Sequence, residues 1–577
     1  MEPASSPGPH AKREERSVGA GGDPPEEPGH RPTARRRGKG VAALVGALVV
    51  ASAVLLALWV WPHAPPVPGP HSTVSTHLLI AGSGGGSLGP YRLGVNVRAD
   101  GTFGAYEESL LAATPANVIR WPGGALADRY NGTVNGGQGL IYNDDGTSQS
   151  ATASLATFAS WCLSTQCTVI YTLPAEIGNP AAAAYQVGWI EANLGLHPLY
   201  WEIGNEPALW THFQIPWSQW SPSQDLAPSP AGYASVAASY ALAIHQVDPS
   251  AKVLGLGGVG KGGGTEAAWI NATLSAGVQN GVQQFAGVAI HVYPAGSGYP
   301  GETDEQVYAA LDGPPSLASR VQTGLADVQN RCAACVLYVD ELGAASGSTL
   351  ASFMAGFPLV SFTAAAVIQG IEANASSLDD FVLEGGYSGA WTGGSGETPK
   401  PVYGLYQDLL GMLRGGWAPV GSSPAVVNLY AMATTAPTGN ALLVANCDQN
   451  RTVDLSFSGS GFPFGASGAA WAWNSSSAEP VGYSWTRNGP ENWTLPPEAV
   501  LLLLTNAPIS AASHSLGPGT TTETGARTGL ERGFAPLDQV ERAVPRLHAG
   551  TSFSVAPGHG AEERRGILCV PQVLLRW

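Results

Sequence analysis

The chain has 577 residues, a formal charge of −16 and only 12% charged residues, with Gly 75 and Pro 45. Such acidity argues against nucleic acid or an anionic lipid surface as the partner of the main body. Sparse charge with abundant Gly and Pro suits a loop-rich exported protein, long enough for a large core plus accessory pieces.

Residues 1–40 are rich in Pro, Gly, Arg and Glu and nearly free of apolar side chains, so they read as a disordered tail. From Val41 to Trp61 run 21 uncharged, mostly aliphatic residues ending in Trp59-Val60-Trp61, a length that spans a bilayer. Arg35-Arg36-Arg37 and Lys39 lie just before it, which predicts a cytoplasmic N-terminus and an extracellular remainder. A cleaved signal peptide, and hence secretion, is the alternative; the run is long for one and ends in bulky Trp. Residues 62–77 read as a Pro/His-rich linker. Six Asn-x-Ser/Thr sequons, at Asn131, Asn271, Asn374, Asn450, Asn474 and Asn492, all follow the apolar run, in keeping with this topology. Cys162 with Cys167 and Cys332 with Cys335 are close pairs that read as disulfides or buried thiols; one C-x-x-C without a second Cys/His pair is a poor zinc site.

Over residues 78–415 short β-type runs alternate with helical ones. The runs are Arg92 to Val97, Val118 to Trp121, Val169 to Leu173, Leu199 to Ile203, Val253 to Leu256, Gly287 to Tyr293 and Leu337 to Glu341, with Phe381 to Ala390 a weaker eighth. Asn179-Pro180 and Ser229-Pro230 pair a capping side chain with a proline at the first helical position. This alternation predicts a (β/α)8 TIM barrel; a doubly wound sheet is the alternative, but no Gly-rich dinucleotide fingerprint follows the first strand. Over 416–506 the pattern changes to short β-type runs separated by Gly, Ser, Asn and Pro, which predicts an appended C-terminal β-sandwich, with Thr76 to Ile80 adding a strand from the N-terminal side. Residues 507–577 read as a disordered tail.

Two phrases carry chemistry. Trp201-Glu202-Ile203-Gly204-Asn205-Glu206-Pro207 and Leu337-Tyr338-Val339-Asp340-Glu341-Leu342-Gly343 each read as an apolar strand ending on a carboxylate. Strands that deliver acids to one rim fit a barrel whose site lies at the strand C-termini. Cleaving a glycosidic bond needs one carboxyl to protonate the leaving oxygen and another to attack or to activate water. Taken alone, Glu206 reads as a helix cap beside Asn turn chemistry, and Glu341 as a loop-flanking acid.

The first phrase resembles the acid/base motif of clan A retaining glycoside hydrolases, most of all the heparanase and β-glucuronidase family, with arabinofuranosidases and β-xylosidases close. Ile119-Arg120-Trp121-Pro122-Gly123-Gly124, Ile290-His291-Val292-Tyr293 and Lys400-Pro401-Val402-Tyr403 resemble further motifs of that group, the likeness spanning about Leu78 to Thr505. The residues after Glu341, Leu342-Gly343-Ala344-Ala345, depart from a heparanase-like pattern. The resemblance implies Glu341 as nucleophile, Glu206 as acid/base, Asn205 on the sugar 2-hydroxyl, Arg120 and Tyr293 beside the nucleophile, and His291 arranging local hydrogen bonds. Trp210, Trp217 and Trp220 are candidate sugar platforms, and Tyr387 and Trp391 a candidate subsite floor. Arg129 and Lys261 are candidate partners for a uronate carboxylate. No cofactor or metal is expected; the partners are an oligo- or polysaccharide and a membrane through 41–61, with no nucleic acid. The rivals are a non-catalytic glycan-binding surface protein and a structural cell-envelope protein.

Overall fold

The computed structural model describes residues 72–505 apart from internal stretches, the longest being 211–228, 257–264, 296–302, 345–352, 385–390 and 460–466. The apolar run 41–61, both expected tails, residues 62–71, Trp217, Trp220, Lys261 and Tyr387 lie outside the described residues. No helix among the described residues is long and apolar enough to cross a membrane.

One strand, β1 (Ser72–Ile80), precedes a closed barrel of eight parallel strands. These are β2 (Leu93–Asn96), β3 (Val118–Trp121), β4 (Val169–Leu173), β5 (Tyr200–Ile203), β6 (Val253–Leu256), β7 (Gly287–Val292), β8 (Val336–Leu342) and β9 (Ser377–Asp380). They follow one another around the barrel in chain order, and β9 closes onto β2 through Leu378 opposite Leu93. Nearly every strand residue is buried, as expected where helices cover the outside and side chains fill the inside. The helices are α1 (Ala105–Ala113), α2 (Leu155–Thr165), α3 (Pro180–Leu194), α4 (Pro230–Val247), α5 (Glu266–Ala276), α6 (Asp304–Asp312), α7 (Leu317–Arg331), α8 (Phe357–Glu372) and α9 (Pro401–Met412). Asn179 accepts a hydrogen bond from the Ala182 amide (3.2 Å) and Ser229 one from the Gly232 amide (3.0 Å), so both sequence-predicted caps start α3 and α4. Cys162 is bonded to Cys167 at the end of α2, and Cys332 to Cys335 between α7 and β8, the disulfide alternative for both pairs.

The eighth barrel strand corrects the sequence reading. It is Ser377-Leu378-Asp379-Asp380, ahead of the apolar stretch that begins at Phe381. Two acids in four residues disguise a fully buried strand. They are tolerated because Ser377 donates to Asp379 and the Trp391 indole donates to Asp380 at 3.1 Å.

The second unit of architecture is one nine-stranded sheet folded on itself. Its strands after the barrel are β10 (Gly416–Ser423), β11 (Leu429–Ala436), β12 (Gly439–Asn446), β13 (Arg451–Gly459), β14 (Ser467–Trp473), β15 (Val481–Thr486), β16 (Asn492–Leu495) and β17 (Ala499–Thr505). Strand β10 makes the corner: its first half pairs with β11 and its second half with β1. Strand β1 starts at Ser72, so residues 72–77 belong to the sheet and not to a linker. Thr76, Leu78 and Ile80 alternate inward, a period-two pattern masked by Ser and Thr. The two halves of the sheet bury Leu78, Ile80, Val453 and Leu455 against Leu442, Val444, Leu501 and Leu503. Alternate residues, including Leu443, Val500 and Leu502, join the barrel's core instead. The β11–β12–β17 layer is thus apolar on both faces.

Burial pushes the Asp379 carboxyl up to about 7 from an ordinary 3.8, and Asp380 moves the same way for the same cause. An acid whose folded value is raised binds its proton on folding, so its contribution to stability is present below the unfolded value and is lost as pH rises from about 4 through about 7. Asp379→Asn is expected to make urea-unfolding stability less pH-dependent across that window, chiefly by removing the loss on its neutral side.

Candidate active site

Arg120, next to last in β3, is fully buried at the C-terminal end of the barrel and organises the site. Its Nε donates to Glu202 Oε2 at 2.6 Å. Nη1 donates to Glu341 Oε1 at 2.7 Å and to Asn96 Oδ1 at 3.0 Å, and Nη2 to Asn205 Oδ1 at 2.9 Å. Asp340 Oδ2 lies 3.1 Å from Nε. One guanidinium therefore joins side chains from β2, β5, β8 and the turn after β5, a fork geometry that lysine cannot reproduce. Thr172 on β4 adds a hydroxyl donated to Glu202 at 2.7 Å. Arg120 has no exposed surface and holds the nucleophile candidate from behind.

The turn carrying Asn205 and Glu206 is built around backbone that most residues avoid. Gly204 has φ +76°, and a Cβ there would meet Trp210 Cζ2 at 2.6 Å and Ala175 Cβ at 2.9 Å. Glu206 itself has φ 42°, an uncommon left-handed conformation of the kind that collects at functional sites. Pro207 then opens a short 3-10 turn. Asp128, in the 3-10 turn after β3, fixes this geometry. It accepts from the amides of Ala175 (3.2 Å), Glu176 (3.3 Å) and Asn205 (3.0 Å) and from the Trp210 indole (3.1 Å). Asn205 Nδ2 is buried with no hydrogen-bond partner among the described residues, so it is free to donate to a bound hydroxyl.

Strand β8 reaches the site through a bulge. Ile290 pairs with Val339 but His291 pairs with Glu341, leaving Asp340 as the extra residue. Asn96 Nδ2 satisfies the bulge by donating to the Asp340 carbonyl at 2.7 Å. Both successive acids thereby reach Arg120. Glu341 Oε2 accepts from the Tyr293 hydroxyl at 2.8 Å. His291 Nδ1 lies 3.2 Å from Glu341 Oε2 and 3.3 Å from Glu206 Oε1. One donor or acceptor atom from each of Glu206, His291 and Glu341 falls within 4.8 Å of the others. That spacing would also accept a cation, but the Arg120 guanidinium already bonds the other oxygen of Glu341, and its charge disfavours a second cation on that carboxyl. The trio brings two carboxyls and an imidazole together, groups of the kind acid–base chemistry uses.

Electrostatics follow from burial and this clustering. Burial would lower the His291 imidazole, but the charges of Glu341 and Glu206 and the Glu206 hydrogen bond outweigh it and raise it above 6.5. Burial would raise Glu206, but the His291 hydrogen bond and charge, with the Arg120 charge, hold it below the usual carboxylate range. The two shifts run in the opposite senses expected of groups that stabilise each other's charged forms.

The aromatic expectations need correction. Trp210 is buried, its indole donating to the Asn205 carbonyl at 2.6 Å as well as to Asp128. Trp391 has no exposed surface and packs on Tyr403 and Tyr406. Neither offers a face to a sugar; both pin the loops that carry the site. Tyr387 lies outside the described residues. Arg129 sits 3.9 Å from Glu176. The sequence reading assigned no role to Asn96, Asp128, Glu202 or Asp340, although Glu202 and Asp340 stand inside the two phrases it singled out.

No family model matches this chain, and no curated protein sequence matches it. Solved structures match its fold. A family 51 α-L-arabinofuranosidase from Bifidobacterium longum is 16% identical with TM-score 0.54, covering 75% of this chain and 99% of its own. An α-L-arabinofuranosidase from Thermotoga maritima is 13% identical with TM-score 0.56, covering 74% and 99%. A glycoside hydrolase family 44 xyloglucanase from Paenibacillus polymyxa is 13% identical with TM-score 0.55, covering 75% and 100%. The likeness is one of fold. The chain shares its barrel architecture with these glycoside hydrolases, two of which are named as members of families 51 and 44, where the sequence reading put the heparanase and β-glucuronidase family first.

Replacing Arg120 by Met leaves two carboxylates and two amide oxygens without their shared donor. We expect a loss of about 3–5 kcal/mol of unfolding free energy in urea titration, partly recovered in the double variant with Glu202→Gln.

Proposed function

We propose that the chain is a retaining glycoside hydrolase that acts on uncharged glycosides, of the α-L-arabinofuranoside or β-xyloside kind. The observation that carries the reading is the approach of Glu206 and Glu341 within 4.8 Å at the strand C-termini, with Arg120 and Tyr293 both hydrogen-bonded to Glu341. So close a pair matches the short separation of double displacement, about 5–5.5 Å, better than the roughly 6.5–9.5 Å that leaves room for an inverting water. Two donors hold Glu341 in a fixed orientation from which its carboxylate attacks the anomeric carbon. As the glycosidic C–O bond breaks, the leaving oxygen takes the proton held by the Glu206–His291 pair. In the second step Glu206 receives a proton from water, which attacks the anomeric carbon and frees Glu341. Asn205 Nδ2 meets a sugar hydroxyl, a bond that strengthens as positive charge develops on the ring.

A uronide specificity, the first choice of the sequence reading, has less support. Arg120 is committed to four acceptors, and Arg129 faces Glu176. The neighbours named as arabinofuranosidases favour a neutral pentoside.

Hydrolysis of aryl α-L-arabinofuranoside, β-xyloside and β-glucuronide tests the reading. We expect turnover of a pentoside with the first-formed product retaining its anomeric configuration by NMR, and a loss of about 10²–10⁴-fold in Glu206→Gln and at least as much in Glu341→Gln. The basic limb of kcat/KM is expected above 6.5, because the proton of the pair is held by a raised imidazole. Turnover unaffected by both substitutions, or an inverted product, overturns it.

A further inference from the structure

Behind the two glutamates lies a cluster the mechanism above does not use. Asp340 has no exposed surface, and neither of its carboxyl oxygens receives a hydrogen bond from any described donor. Two neighbouring atoms are equally unsatisfied: Glu202 Oε1 and His291 Nε2. His291 Nε2 lies 3.7 Å from Asp340 Oδ1. The charged and titratable groups around Asp340 are Arg120 from β3, Glu202 from β5, His291 from β7, the adjacent Glu341 and the Tyr233 hydroxyl from α4. Arg120 Nε has a single hydrogen, and Glu202 takes it at 2.6 Å. Four buried polar atoms therefore want partners, and one guanidinium faces three carboxyl groups. Leaving such atoms unpaired costs about 1–3 kcal/mol each, more for charged ones.

One additional proton resolves the cluster. We propose that Asp340 is a positioning residue held as a neutral carboxylic acid, donating its hydroxyl to Glu202 and presenting its other oxygen to His291 Nε2. The imidazole is then gripped from behind and its Nδ1–H is aimed at Glu206 and Glu341. Burial and the neighbouring Glu202 charge raise Asp340 well above the usual carboxylate range against the pull of Arg120, in agreement with this assignment. Burial likewise would raise Glu202, but Arg120 and the hydrogen bonds from Asp340, Arg120 and Thr172 hold it low, so the anion of the pair is Glu202. The bulge in β8 has its purpose here: without the extra residue, Asp340 and Glu341 would point to opposite faces of the strand.

The inference rests on the glycosidase reading for its kinetic consequences but not for the proton itself. Infrared difference spectroscopy of the full chain against Asp340→Asn, at neutral pH, is expected to show loss of a protonated-carboxyl C=O band. That readout needs no substrate, so it stands even if every glycoside fails. In kinetics, Asp340→Ala is expected to lower kcat by about tenfold or more and to move the basic limb to lower pH, because His291 loses its rear acceptor. Asn has the shape and the donor–acceptor pattern of a protonated Asp, so Asp340→Asn is expected to rescue kcat to within about threefold and to restore the limb. The proposal is overturned if the difference spectrum shows no protonated-carboxyl C=O band lost in Asp340→Asn, or if Asp340→Asn loses as much activity as Asp340→Ala.

Discussion

A single buried cation decides how this barrel ends. Arg120 touches Asn96, Glu202, Asn205 and Glu341 through hydrogen bonds, with Asp340 beside it, so residues from widely separated parts of the chain meet on one planar group. Taking those carboxyls out of water without a partner would be prohibitive, and taking the guanidinium out alone would be as bad. Together they are tolerable, and the geometry leaves little slack. The fork sets where Glu341 points and orients the Asn205 amide so that its oxygen faces the protein while its nitrogen stays available. The stability of the barrel end and the geometry of the candidate site are thus tied to one fully buried side chain.

Around this hub the other devices serve placement. The glycine at 204 and the left-handed Glu206 turn the chain sharply at the end of β5. Asp128 collects three backbone amides and an indole and so fastens that turn to the end of β4. Trp210 and Trp391, which look like sugar platforms in the primary structure, are loop anchors whose ring nitrogens bond to buried acids. Precision at the rim comes from satisfied buried polar atoms more than from the apolar core beneath them.

Much of this was legible from residue patterns. Seven barrel strands were found to within a residue at each end, because runs such as Val169 to Leu173 and Val253 to Leu256 are apolar and punctuated by turn residues. The two acid phrases were found for the same reason, since a strand that stops on a carboxylate is unusual. The eighth strand was missed because Asp379 and Asp380 look like loop, and only the fold reveals that Ser377 and Trp391 are there to receive them. Among the strands over 416–506, β10, β15 and β16 carry the weakest signal, because Gly, Ser, Pro and Asn dilute their alternation. Roles for Glu202 and Asp340 were out of reach for a different reason. A period-two strand would send Asp340 away from Glu341's side, and the bulge that reverses this leaves no signature in the residues themselves.

Strand β1 has a consequence for how the molecule is made. It lies between β10 and β13 in the folded sheet, pairing in parallel from Ser72 opposite Arg451 to Ile80 opposite Gly459. A segment synthesised before the first barrel strand must therefore wait for partners that leave the ribosome only after the whole barrel has emerged. Until then its edges are unpaired, and the closure entropy is that of a loop several hundred residues long. The barrel strands can therefore pair before the folded-over sheet does, and that sheet, once complete, ties the segment ahead of the barrel to the segments behind it.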